Sequence, residues 1–206
     1  MDSIIKSYGD RVNQQLQLIL PAAEGPAERL FSAMRYSVFN GGKRVRPLLC
    51  FAAADAIGEA TEATSTVAAS VEMIHAYSLI HDDLPCMDND KLRRGKPSTH
   101  IKFGESTAVL AGNSLLTMAF EILTSSNLKI NEKTKVDLVQ KLSESSGHLG
   151  IAGGQYLDLS FEKKKISKNK IIDMEIKKTG KLFSFCCYVV CVIEKKNNKK
   201  IKSLNK

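Results

Sequence analysis

No stretch of this sequence reaches the roughly 18 consecutive apolar residues that cross a bilayer as a helix. The longest apolar stretch, Leu182 to Ile193, is too short. The N-terminus lacks the basic, then apolar, then small-residue order of a secretory signal, so a cytoplasmic location is the simplest expectation. The five cysteines, at 50, 86, 186, 187 and 191, contain no C-x-x-C pair and no disulfide framework for a chain of 206 residues. That excludes a cysteine-stapled secreted domain and leaves the thiols reduced. Cys187 and Cys191 are spaced to share a helix face, but with no histidine nearby core packing outweighs a zinc site. Alternating strand patterns are almost absent, no repeat recurs at a fixed period, and no linker divides the chain. These absences point to a single all-α domain, and the length allows it a sizeable core.

Charge is present but unevenly placed. Residues 162–206 hold fourteen lysines against four acids, while the rest holds 16 basic and 18 acidic residues. The body is close to neutral, so we expect no nucleic-acid partner. The lysine-rich end reads as a solvated basic tail over 196–206, following a helical domain over 1–195.

Apolar residues recur at intervals of three and four almost throughout. The pattern predicts a helix over 2–20, stopped by Pro21, and a second from Pro26 to the Gly41-Gly42 pair. A third runs from Pro47 to Gly58. Further helices are expected over about 64–84, 104–125, 131–160 and 168–195, with the β-branched run at 189–193 still in helical register.

The chemistry concentrates in "HDDLPCMDND KLRRGKPSTH", residues 81–100. Asp82, Asp83, Asp88 and Asp90 run straight into Lys91, Arg93, Arg94 and Lys96. Clustered carboxylates repel one another unless cations neutralise them, and oxygen ligands of this kind suit a hard ion such as magnesium. On an ideal helix Asp82 and Asp88 would point about 240° apart, so sharing an ion requires a break. Pro85 supplies one. Magnesium commonly takes one or two protein carboxylates plus substrate phosphates, which accounts for the adjoining arginines. The alternative is a charged helix end with ordinary surface ion pairs.

A second cluster, "NGGKRVRP" at residues 40–47, sets Lys43, Arg44 and Arg46 after two glycines at a helix start, where free amides favour an anion. His75 precedes Asp82 by two helical turns on the same face and so points towards the same cavity. A core histidine is the alternative. "GGQYLD" at 153–158 and "KKTGK" at 177–181 are weaker signals, in which Gln155, Lys178 and Thr179 are equally compatible with packing and surface roles.

In this order, "GGKRVRP", "HAYSLIHDDLPCMDND", "LRRGKPSTH", "GGQYLDL" and "KTGKLF" resemble the trans-isoprenyl diphosphate synthases, most of all the bacterial farnesyl diphosphate synthase branch. The resemblance covers roughly residues 10–185. It implies an antiparallel helical bundle of the isoprenoid synthase type around a deep cavity. In it, Mg2+ on Asp82, Asp83 and Asp88 would grip an allylic diphosphate (dimethylallyl or geranyl). Arg93, Lys178 and Thr179, with Gln155 beside them, would hold that diphosphate, while Lys43, Arg46, His75 and Arg94 would hold isopentenyl diphosphate. Ionisation and attack would give farnesyl diphosphate, with Tyr77 and Ser78 setting product length. A homodimer through helices near 105–125 is implied as well. The second aspartate-rich motif of the family is not found after "KTGK", so the bundle is expected to be incomplete at its C-terminus, with apolar faces such as Phe183, Phe185, Tyr188 and Val189 exposed. Two other readings stand beside this one: a non-catalytic diphosphate-binding or partner subunit, and a His-Asp metal phosphohydrolase using His75, His81, Asp82 and His100.

Overall fold

The computed structural model describes residues 2–58 and 60–193. The tail expected over 196–206 lies outside the described residues. In chain order the elements are α1 Asp2–Ile19, α2 Glu28–Phe39, α3 Val45–Ile57 and α4 Glu62–Asp82, then a minimal hairpin of β1 Leu92–Arg93 and β2 Lys96–Pro97. There follow α5 Thr99–Phe103, α6 Glu105–Thr124, α7 Glu132–Ser146, α8 Ile151–Phe161 and α9 Lys168–Glu175. One π-turn, Ile176–Gly180, leads directly into α10 Lys181–Ile193.

The centre is α4, buried on nearly all sides because its residues are apolar or small around the whole circumference. A reciprocal Thr61–Thr64 capping box fixes its start. Along α4 runs α6, and α10 packs into α3, α7 and the same central helix. Gly112 of α6 lies against the His81 ring, where a Cβ would overlap the imidazole unless that ring turned aside. Leu16, Met34, Phe51, Met73, Leu115 and Leu138 are sealed inside one connected core. Each such side chain contributes about 1.5–3 kcal/mol by leaving water.

Three sequence expectations change. The helix expected over 131–160 is two helices, because Gly147 leaves helical geometry and a Cβ at Gly150 would overlap the Ser145 carbonyl. The helix expected over 168–195 contains the π-turn, an extra residue in the turn that carries Lys178 and Thr179. Phe185 and Val189, expected at an exposed face, are buried, because α3 and α7 pack against α10. By length and composition α6 could span a bilayer, although no uninterrupted apolar run exists. Its Ala108, Ala111, Leu115, Ala119 and Leu123 are buried in the core.

Candidate active site

Helix α4 ends at Asp82, three residues ahead of Pro85, as the bias of pre-proline residues away from helix requires. The chain then folds back, and the Asp88 amide donates to the Asp82 carbonyl at 2.9 Å. This brings together two aspartates that a continuous helix would hold apart. Burial pushes the Asp82 carboxyl up to about 6; Lys178 pulls it down while Asp88 raises it further. From α8, Gln155 places Nε2 3.5 Å from Asp88 Oδ1, while its buried Oε1 has no hydrogen-bond partner. Lys178 comes off the π-turn and donates to Asp158 Oδ2 at 2.5 Å. Gly154, one turn before Asp158 on α8, lets the backbone of Lys178 approach: a Cβ there would lie 2.5 Å from Lys178 Cα. Asp82, Asp88, Gln155 and Lys178 thus form an acidic mouth with one cation at its rim.

Asp83, the next residue, faces Arg93 while its charge still acts on Asp82. It is 2% exposed, and Arg93 Nε donates to its two oxygens at 3.0 and 3.2 Å while Nη2 also donates to Oδ1. Arg93 reaches Asp90 as well, at 3.4 Å. Burial pushes the Asp83 carboxyl up and the Arg93 hydrogen bond pulls it back. Arg93 thus engages both Asp83 oxygens. Arg94, the first residue of the turn after β1, reaches another part of the chain: it donates to the Gly41 carbonyl and lies over Gly42, where a Cβ would sit 2.5 Å from Nη1. The turn carrying it is left-handed at two successive residues, Arg94 with φ 55° and Gly95 with φ 76°, the twist a two-residue hairpin needs.

Beside this lies a basic cavity of about 590 Å³ lined by Lys43, Arg44, Arg46, Arg94, Glu72 and His75 among others. Arg44, read in the sequence as part of the cradle, is turned inward and holds Glu72, because its buried charge needs a partner. Lys43 is exposed at the rim. Arg46 lies over the Phe183 ring at 4.8 Å and its Nη1 donates to His75 Nε2 at 3.3 Å. A guanidinium only donates, so Nε2 must be the bare nitrogen. Burial first, then the charges of Arg46, Arg94, Arg44 and Arg93, push His75 down to about 3, which keeps it neutral. His75 and Asp82 share a face of α4 about 10 Å apart, two helical turns, but Asp82 does not line the basic cavity.

Tyr77 is buried, its ring edge-on to His81 and its hydroxyl donating to the Ser146 carbonyl at 3.4 Å. Ser78 bonds back to the His75 carbonyl at 2.9 Å, and Thr179 is exposed on the π-turn. The histidines of the hydrolase reading are separated: His75 meets Arg46, His81 meets the Val109 carbonyl, and His100 is buried beside Ser98. Among the described residues no three His, Cys, Asp or Glu side chains could hold a metal ion on their own. The donor set formed by Asp82 and Asp88 nevertheless suits magnesium: hard carboxylate oxygens brought together, one of them on a carboxyl that burial makes more basic. Sequence reasoning missed Glu72 and Asp158. The spacing of three from Glu72 to His75, and the aspartate ending "GGQYLD", were the available signals.

The scaffold is helical but for one minimal hairpin, with an acidic cluster and a basic cavity along one central helix. The polyprenyl synthetase family model matches residues 27–206, and the chain belongs to that family. It is 40% identical over 187 residues to the farnesyl diphosphate synthase of Bacillus subtilis, covering 90% of this chain and 63% of that protein. To geranylgeranyl pyrophosphate synthase 4 of Arabidopsis thaliana it is 42% identical over 201 residues, 96% of this chain and 53% of the other. The chain therefore spans less than two thirds of these relatives. The crystal structure of an FPP/GFPP synthase from Zymomonas mobilis superposes with a TM-score of 0.94 at 38% identity, covering 99% of this chain and 74% of that one. The bundle is of the isoprenoid synthase type.

Proposed function

We propose that the chain carries the two substrate sites of a prenyltransferase of the geranyltranstransferase kind, which joins isopentenyl diphosphate to dimethylallyl or geranyl diphosphate and yields farnesyl diphosphate. The observation that carries the reading is the placement of the acidic mouth and the basic cavity on one face of α4. On this reading Asp82 and Asp88 hold Mg2+, which when bound neutralises the charge growing on the departing diphosphate. Asp83 aims Arg93, and Lys178 with Thr179 and Gln155 borders the same leaving group. Heterolysis of the allylic carbon–oxygen bond leaves a carbocation. Lys43, Arg46 and Arg94 grip the second diphosphate with the neutral His75 behind Arg46, so that the isopentenyl double bond attacks the cation and a proton is lost. No protein nucleophile takes part. Tyr77, braced by His81 and the Ser146 carbonyl, supports a floor that stops growth at farnesyl length, with Ser78 beside it.

Val109 and Leu110, exposed on α6, support docking of a second copy to give a homodimer. The five cysteines are all unpaired, which supports a reducing, cytoplasmic setting. The test is incubation of purified protein with magnesium, geranyl diphosphate and labelled isopentenyl diphosphate. Labelled farnesyl diphosphate, lost in Asp82→Ala, is expected. No product, together with pyrophosphate binding that is indifferent to magnesium and to Asp82→Ala, refutes the reading.

A further inference from the structure

Two ionisable side chains interrupt the apolar middle of α4. Glu72 and His75 are three residues apart, share a face, and each takes one arginine from the start of α3, the N-cap Arg44 or Arg46 in the first turn. His75 accepts from Arg46, whereas Glu72 accepts from Arg44 Nη1 at 2.5 Å. Arg44 has a left-handed backbone, φ 50°, which a non-glycine residue keeps only where its surroundings determine it. Three acceptors from three helices do so: Glu72 of α4, the Val38 carbonyl of α2 at 2.7 Å and Asn13 Oδ1 of α1 at 3.1 Å. With Arg44 pinned inside, its chain neighbour Lys43 and the following Arg46 are left lining the cavity.

We infer that Glu72 is a positioning residue of the basic cavity, acting through Arg44 to present Lys43 and Arg46 to a diphosphate. This rests on reading the cavity as a diphosphate site. The carboxylate also lines that cavity, so by charge alone it opposes an anion. Its two effects have opposite signs, which makes them separable. Glu72→Gln keeps an acceptor for Arg44 and removes the opposing charge. The double variant Glu72→Leu/Arg44→Met removes one positive and one negative charge, leaves the net charge unchanged and replaces the ion pair with apolar groups, an exchange buried pairs commonly tolerate.

The experiment is calorimetric titration with inorganic pyrophosphate in the presence of a divalent-ion chelator, which isolates this cavity from the magnesium-dependent mouth. Magnesium-dependent binding and the melting temperature are measured alongside. Glu72→Gln is expected to bind about two- to threefold tighter than the parent. The double variant is expected to melt with the parent yet bind at least about tenfold more weakly, with magnesium-dependent binding within about twofold in both. A double variant that binds like the parent overturns the inference, as does a loss in Glu72→Gln as large as in the double variant, or a parallel loss at both sites tracking a fall in melting temperature. A parent that binds no pyrophosphate without magnesium overturns the diphosphate reading of the cavity and this inference with it.

Discussion

Replacing Gly154 with alanine tests the site where it depends most on backbone proximity. The added Cβ would lie 2.5 Å from Lys178 Cα and 2.7 Å from its Cβ, and nearer still to its amide nitrogen, whereas real Cβ atoms essentially never come within 3.0 Å. The obstacle is backbone and no rotamer change relieves it, so the π-turn must move away from α8 by roughly 1 Å. Overpacking of this kind costs about 1–3 kcal/mol, and at about 2–4 °C per kcal/mol for a chain of this size the melting temperature falls by roughly 2–12 °C. The same shift carries Lys178 out of its 2.5 Å bond to Asp158 and away from Asp82, whose carboxyl its charge pulls down. A misplacement of about 1 Å in a group that handles a leaving charge costs on the order of 100-fold in rate. Thermal melting and the labelled condensation assay read the two effects. Gly9→Ala on α1 is the control, since nothing lies within 4 Å of a Cβ there. A Gly154→Ala protein that melts with the parent would show that α8 and the π-turn do not touch as described. One that melts lower but turns over normally would remove Lys178 from the mechanism.

Three further outcomes are expected. Below pH 6.5 the unfolded chain protonates His75 while the folded protein, with that group near 3, does not, so His75 contributes stability that is lost as the solution is acidified through this window. Urea unfolding at pH 4.5 and 7 should show the parent losing about 2.5 kcal/mol more than His75→Gln, and equal losses would count against a buried neutral imidazole. Arg93→Gln leaves the buried Asp83 carboxylate unpaired and should cost about 2–3 kcal/mol, most of it restored in Asp83→Asn/Arg93→Gln; simple additivity of the two changes would deny the pair. Tyr77→Ala should move the product from farnesyl to geranylgeranyl length in chromatography of the dephosphorylated alcohols, and an unchanged product would place the floor elsewhere.

What the sequence made legible follows from how local each signal is. Pro21, Pro26, Gly41-Gly42 and Gly58 bound the first three helices within a few residues, since prolines and glycines act on their own backbone. The meeting of Asp82 and Asp88 could likewise be read from Pro85. The break between α7 and α8 could not, because Gly147 and Gly150 sit within an apolar period that runs on through them. The hairpin escaped because strands of two residues have no period to detect. Arg44 and Lys43 look alike in "GGKRVRP", and only the acceptors on α1, α2 and α4 turn one inward and leave the other at the rim. Which of two adjacent charges is structural is a tertiary fact.

On the proposed function, one helix carrying both diphosphate regions accounts for the spacing of the polar residues of α4. Glu72 and His75 line the basic cavity, and Asp82 lies two turns beyond His75, about 10 Å along a helix that the core encloses on nearly all sides. A bond-forming reaction between two diphosphate esters needs their charged ends held apart and their carbon ends directed together. A rigid ruler of that length, with cations fixed at one end and carboxylates at the other, does so without a conformational step. Were the two groups on separate helices, any sliding between those helices would change the distance between the reacting carbons. On the proposed function, the nearly all-round burial of α4 serves that spacing as well as following from its composition.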